Sequence, residues 1–133
     1  MAALADHALV DSQGKLSVIG IWRHVVVPQL PGIHPRAHLV LLLSGRREDV
    51  GEHRVGLSLL DPTSVVRFEH HGMMHMPEPD PGIEEIVSPG VIVLDIPVQS
   101  TGPHAIVVTI DGIEAARVPF TVTEPPRQQP AVH

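Results

Sequence analysis

The chain is predicted to fold as an all-β, immunoglobulin-like antiparallel β-sandwich of about seven to nine strands. Short apolar runs alternate with turn residues along most of its length, and every second side chain of a run falls on one face, as a half-buried strand requires. The two clearest runs, residues 105–110 and 116–122, are joined by Asp111-Gly112, a dipeptide typical of tight hairpins. Residues 37–44 are apolar on both faces, which predicts a central strand covered on each side.

The first third of the chain divides into two strands and a loop. A strand is predicted over residues 4–10, followed by a turn in which Gly14 supplies a positive φ. A long second strand covers residues 15–27, with a bulge or bend at Gly20, where the sidedness of the apolar residues changes. The prolines of residues 28–35 remove ladder donors, so this segment is predicted to be an extended loop that crosses between sheets.

The rest of the chain is predicted to be strands broken by one long loop. Residues 71–90 are rich in proline and carboxylates, which predicts a surface loop with a short helical turn at 83–86. Residues 124–133 are Pro/Gln-rich and predict a disordered tail, which leaves residues 1–123 as a single sandwich domain. The further strands are predicted at 53–59, 66–69 and 91–98.

Composition excludes several functions. The net charge of −6 argues against nucleic-acid binding, because phosphate neutralisation needs clustered Lys and Arg. Cysteine is absent, so disulfides, thiolate metal sites and cysteine nucleophiles are excluded, and a reducing compartment suits the chain. Residues 39–43 form the longest apolar run, far too short to span a bilayer, and no signal peptide is visible. We therefore expect a cytoplasmic protein without a membrane partner.

Three segments together carry a resemblance to a known family. They are a Gly-Lys-Leu-x-x-x-Gly-Ile-aromatic strand at 14–22, a His-Pro loop at 30–35, and Gly51-Glu-His53 leading through a strand to Asp61-Pro62. In this order they resemble a family of small bacterial proteins known as a domain of unknown function. The resemblance implies a compact β-sandwich from about Ala5 to Val122 and supplies no activity, ligand or catalytic residue. The His/Met-rich residues 70–76 depart from the family's pattern.

The His/Met-rich segment is the most chemically suggestive part of the chain. Imidazole and thioether ligands suit copper, and methionine favours Cu(I). On an extended chain, His71, Met73 and His75 project to one face and form a candidate metal site. The alternative interpretation is a strand end whose methionines fill gaps in a core with few aromatic residues.

Motifs for catalysis or cofactor binding are missing. The chain has no Gly-x-Ser-x-Gly elbow, no Gly-x-Gly-x-x-Gly loop and no Walker A pattern. His34 and His38 are four residues apart, but Pro35 intervenes and the helical zinc motif is not formed. We therefore expect no catalytic residue, no cofactor and no enzymatic activity.

We expect instead a non-enzymatic interaction or structural module, which binds a protein partner or self-associates into a homo-oligomer. Trp22 is the single large amphipathic aromatic residue, and an exposed tryptophan of this kind would anchor an interface, whereas burial would place it in the core. Trp22, His34 and Pro35 are the candidate interaction residues. The alternative is a copper-type metal or small-ligand binding protein that uses residues 70–76.

Overall fold

The computed structural model describes residues 1–126, in which nine β-strands and one short 3₁₀ helix form two sheets. The strands are β1 (Ala2–Val10), β2 (Leu16–Trp22), β3 (His24–Val26), β4 (Gly32–Arg46), β5 (Gly51–Leu60), β6 (Val66–Met76), β7 (Glu85–Val98), β8 (Gly102–Ile110) and β9 (Ile113–Thr123). The 3₁₀ helix, Arg47–Asp49, connects β4 to β5. No helix in this described part of the chain has the length and apolarity needed to cross a membrane.

The strand order confirms the predicted immunoglobulin-like sandwich. One sheet has the order β2-β1-β4-β7 and the other the order β3-β9-β8-β5-β6. Strands β4 and β7 pair in one sheet while β5 and β6, which lie between them in sequence, pair in the other. Such crossings between two packed sheets are the Greek-key connections of immunoglobulin-like domains. The short β3 departs from the antiparallel pattern, because it runs parallel to β9.

The main core lies between the two sheets and is aliphatic, with one aromatic side chain, Phe120, fully buried in it. A second, smaller cluster covers the opposite face of β4. There Val40, whose neighbours Leu39 and Leu41 belong to the main core, packs against Ala5 and Ala8. Strand β1 lies beside β4 in the same sheet, and this outer cluster, with Leu16 and Val18 of β2 packed against it, explains why β4 is apolar on both faces.

The predicted second strand of residues 15–27 is wrong in one respect, because it is divided at Arg23 between the two sheets. Alternation of side chains predicts strand conformation but carries no information on which sheet each part joins. The bend at Gly20 is confirmed: its φ is 71°, and a Cβ there would lie 2.5 Å from the Asp6 carboxylate. The following loop is shorter than predicted, since β4 begins at Gly32 and has an irregular register between His34 and Ala37.

The predicted surface loop over His71–Gly90 is also wrong over most of its length. Strand β6 continues to Met76 and β7 begins at Glu85, which leaves residues 77–84 as the loop. The predicted helical turn at 83–86 is not formed, because residues 83–84 belong to this loop and residues 85–86 to β7. Proline at position 89 is compatible with a strand because β7 lies at a sheet edge, where a missing N–H breaks no ladder. For the predicted tail, residues 127–133 lie outside the described residues.

Candidate interaction site

Four strands lie at sheet edges in residues 1–126, and they differ in how they are protected against pairing. Strand β3 has three residues, β2 is bent at Gly20, and β7 contains Pro89 and Pro97. Short length, bends and prolines are the usual protections of edge strands. Strand β6 has eleven residues and no proline or positive-φ residue, and its one register irregularity, at Arg67, lies at its start. We call the side of β6 (Val66–Met76) that faces away from β5 the β6 edge.

The register between β5 and β6 determines which way the side chains of β6 point. Val55 and Leu57 of β5 belong to the core, and the residues opposite them, Gly72 and His70, therefore face the inside of the sandwich. The residues that alternate with these face outward; they are His71, Met73 and His75, opposite Gly56, Arg54 and Glu52. The inward set also includes Met74 and Met76, of which Met76 is buried.

The direction of the β6 backbone groups follows from a contact on the far side of β5. Arg54 directs both its N–H and its carbonyl toward β8, where they bond to Asp111 at 2.9 and 2.8 Å. Successive residues of an antiparallel strand direct these groups to alternate sides, so Val55 and Leu57 bond to β6. Their partners on β6 are even-numbered, and the N–H and C=O groups of Glu69, His71, Met73 and His75 therefore point outward along the β6 edge.

A cleft of about 360 Å³ opens between β6 and β7, beside the β6 edge. Six of its lining residues belong to the main core or pack against it: Leu41, Leu43, Val55, Leu57, Met74 and Ile92. His70 adds an imidazole group to this lining, and Ser88 adds a hydroxyl. A separate cavity beside Phe68 has a volume of about 10 Å³, which is too small for any ligand. The cleft between β6 and β7 therefore has the apolar lining and the size of a pocket for a small molecule or a side chain.

A carboxylate holds the turn from which β6 starts. One Asp61 oxygen accepts hydrogen bonds from the Thr63 amide (2.8 Å), the Thr63 hydroxyl (2.7 Å) and the Val65 amide (3.0 Å). The other accepts a hydrogen bond from Arg67 Nε at 2.8 Å. The Thr63 hydroxyl, with Arg67 and the two amides, holds the pKa of Asp61 well below its usual range. The direction of β6 is thus set by an ionised side chain at its start.

A histidine clamp holds the other end of the site. Nδ1 of His53 donates to a carboxylate oxygen of Asp111 at 2.6 Å, and Nε2 donates to the backbone carbonyl of Asp49. Both partners only accept, so the two hydrogen bonds favour the imidazolium form, and that to Asp111, followed by that to the Asp49 carbonyl, raises the pKa of His53. Ser44 lines the same cavity of about 240 Å³. With both nitrogens engaged, His53 is not a general base for that serine.

The three residues predicted to form an interaction surface lie at β2 and β4. Trp22 packs edge-on against His34, with ring centroids 4.9 Å apart, and against Phe120 at 5.9 Å. Its Nε1 is buried without a hydrogen-bond partner in residues 1–126, so packing rather than exposure describes Trp22. Burial lowers the pKa of His34, with a smaller opposing effect of Asp6. Pro35 is exposed in the irregular part of β4.

The speculative metal ligands lie on one face of β6 but do not converge. His71 and His75 are four residues apart on an extended strand, so their Cα atoms are about 13 Å apart. Met73, between them, is 63% exposed, and the Nδ1 of His75 is 2.8 Å from a Glu52 oxygen. The described part of the chain contains no group of three His, Asp or Glu residues arranged to hold a metal ion.

Sequence reasoning missed the β6 edge and the cleft beside it, because the prolines after Met76 made the whole region resemble a loop. A weak signal was present in residues 66–76, which contain no proline and no turn residue other than Gly72. The model of a family of unknown function, DUF6941, matches residues 1–123. A search of curated proteins found no match.

Proposed function

Because the chain belongs to the family of unknown function DUF6941, we propose its function from the geometry of the β6 edge. The protein is a non-enzymatic interaction module that binds an extended segment of protein as an added strand on β6. The observation that supports this most is the contrast among edges: β6 is long and free of proline, whereas the other three are short, bent or interrupted by proline.

An added strand would meet two kinds of surface on β6. Its backbone would pair with the outward N–H and C=O groups of Glu69, His71, Met73 and His75. Its inward side chains, at every second position, would enter the cleft between β6 and β7, where Leu41, Leu43 and Ile92 offer apolar contacts. We therefore expect the bound segment to carry large apolar residues at alternate positions.

Selection of peptides from a displayed random library tests this proposal. Replacing Met73 by proline removes one outward N–H and leaves the ladder with β5 intact, whereas Met73→Leu keeps the N–H and the bulk of the side chain. We expect selected peptides to show the alternating apolar pattern, to bind the Met73→Leu variant, and to lose at least about tenfold in affinity for Met73→Pro. Equal binding to both variants would contradict strand addition at this edge.

The cleft itself favours a second candidate, a small apolar ligand held beside the His/Met segment. Its volume of about 360 Å³ suits a ligand of modest size. Replacing Leu43 by tryptophan would fill the cleft. The Leu43→Trp variant should therefore not bind a fluorescent apolar probe, whereas Met73→Leu should still bind it. Titration of untagged protein with Cu(I) tests the copper alternative. A titration that shows no bound Cu(I) would contradict it.

Two further features support a non-enzymatic role inside the cell. His53 lines one cavity together with Asp111 and Ser44, and both of its ring nitrogens are engaged in structural hydrogen bonds. The absence of cysteine suits a reducing compartment, and the cytoplasm is the location we propose.

A further inference from the structure

We infer that the segment added to the β6 edge is the same strand of a second copy of this chain. This inference rests on the proposed function and names its partner. Two β6 strands would lie antiparallel around a two-fold axis at Gly72 and join the two five-stranded sheets into one continuous sheet. Glu69 of each copy would then lie opposite His75 of the other, and His71 opposite Met73.

The backbone groups permit this register. In a symmetric antiparallel pair, residues that exchange hydrogen bonds must both direct their N–H and C=O groups toward the partner. The odd-numbered residues of β6 do so, and the two-fold axis at Gly72 pairs odd residues with odd residues. The even-numbered residues His70 and Met74 then lie opposite each other on the inner face, next to the cleft, with Phe68 opposite Met76.

Charge complementarity selects this register over its neighbours. The carboxylate of Glu69 is exposed and has no ion-pair partner in residues 1–126. The Nδ1 of His75 is 2.8 Å from a Glu52 oxygen, and an imidazolium at this position would donate its Nε2–H to a second carboxylate. Pairing of opposite groups directly across two strands is stabilising, and the symmetry of the dimer forms this pair twice.

The neighbouring registers of the same parity are less favourable. If the two-fold axis lay at His71 instead of Gly72, His71 would lie opposite its own copy and Arg67 opposite His75. A shift the other way places Glu69 opposite Pro77, which has no N–H to donate. The central register avoids both problems.

A charge exchange tests the inference, with self-association measured by sedimentation equilibrium. All variants carry Glu52→Gln, so that a carboxylate introduced at position 75 does not lie beside another. Glu69→Lys alone removes the carboxylate opposite His75 at two places, His75→Glu alone places two carboxylates opposite each other at two places, and each should weaken the dimer by about tenfold. The double variant Glu69→Lys/His75→Glu restores an opposite pair and should recover most of the affinity.

Rescue of this kind arises between copies, because positions 69 and 75 are about 20 Å apart along one extended strand. A Glu52→Gln protein that stays monomeric at every concentration would overturn the dimer, while strand addition would still stand or fall on the peptide selection. A dimer that neither single variant weakens would overturn the pairing at these residues. If Met73→Pro leaves both the dimer and peptide binding unchanged, neither partner binds at the β6 edge and both proposals are contradicted.

Discussion

Strands β6 and β7 lie on the same side of the sandwich, one at the edge of each sheet, and they are built in opposite ways. The β4–β7 ladder continues through Pro89, opposite Leu42, and through Pro97, opposite Ile33. Since proline has no N–H, both rings must direct their nitrogens away from β4, and the free edge of β7 lacks two donors. Strand β6 keeps all its donors over eleven residues.

The difference shows that the fold protects one of two adjacent edges and leaves the other competent for pairing. Natural sandwiches protect edges because an exposed row of N–H and C=O groups pairs with other chains. Strand β6 keeps a complete row beside an apolar cleft, and this is the edge on which we propose strand addition. Both ends of β6 are also fixed, by Asp61 at its start and by the His53 clamp on the strand beside it.

The largest expected effect comes from placing proline at two adjacent positions of β6. Met74→Pro removes a donor from the ladder with β5 and should lower the free energy of unfolding by about 3 kcal/mol. Met73→Pro removes an outward donor and should lower it by less than about 1 kcal/mol. Urea denaturation of both variants measures the difference. Equal losses would show that the assignment of inward and outward donors is wrong.

A glycine substitution at each of two edges gives the next largest effect. Gly20→Ala in β2 places a side chain at a φ of 71° and against Asp6, so we expect a loss of about 1–2 kcal/mol. Gly72→Ala in β6 is the matched control, because a Cβ there meets no atom within 4 Å, and we expect a change within about 0.5 kcal/mol. Thermal unfolding compares them, and a Gly72→Ala loss as large as that of Gly20→Ala would contradict the account.

Removing the prolines of β7 should convert a protected edge into a pairing edge. In the Met73→Pro background, the double variant Pro89→Ala/Pro97→Ala should change the free energy of unfolding by less than about 1 kcal/mol and should gain self-association. Light scattering detects the gain, and Pro79→Ala in the loop between β6 and β7 is the control. A double variant that stays as monomeric as the control would show that these prolines do not protect the edge.

The smallest expected effect is on the pH dependence of stability. It has opposite signs for His53, in the clamp beside β6, and for His34, which packs against Trp22. The pKa of His53 is raised from 6.5, so the stability it contributes is complete below pH 6.5 and is lost as pH rises through its folded-state pKa. The pKa of His34 is lowered from 6.5, so this residue costs stability as pH falls below 6.5.

Replacing either histidine by glutamine should remove its contribution to the pH dependence of the free energy of unfolding. With His53→Gln, the free energy of unfolding should fall less as pH rises above 6.5, and with His34→Gln it should fall less on acidification below 6.5. Denaturant titrations at several pH values measure both slopes. A His53→Gln variant with the wild-type slope above pH 6.5 would contradict the clamp.

Local signals in the sequence predicted much of the fold, because hairpins and alternation are local properties. The Asp111-Gly112 hairpin has positive φ at both residues, 51° and 85°, as its dipeptide indicated. The strand over residues 70–76 was missed because its conformation is set by a partner distant in sequence: Glu52 lies opposite His75. The division at Arg23 was missed for the same reason, since sheet membership depends on nonlocal pairing.

The candidate site was less predictable than the fold. Trp22, His34 and Pro35 were singled out as separate candidate interaction residues, and the contacts of Trp22 with His34 and with Phe120 depend on nonlocal packing that the sequence does not show. The cleft needed both β6 and β7 to be placed, and no single segment of the sequence carries that information. The family match to residues 1–123 adds no ligand or partner.

Amide hydrogen exchange along β6, followed by NMR at low and high protein concentration, tests the central claim most directly. In dilute protein, the amides of His71 and Met73 should exchange fast while those of Gly72 and Met74 are protected, and at high concentration the first pair should become protected as well. Fast exchange of His71 and Met73 at every concentration would contradict pairing with a second copy. Protection of all four amides in dilute protein would contradict the existence of a free β6 edge.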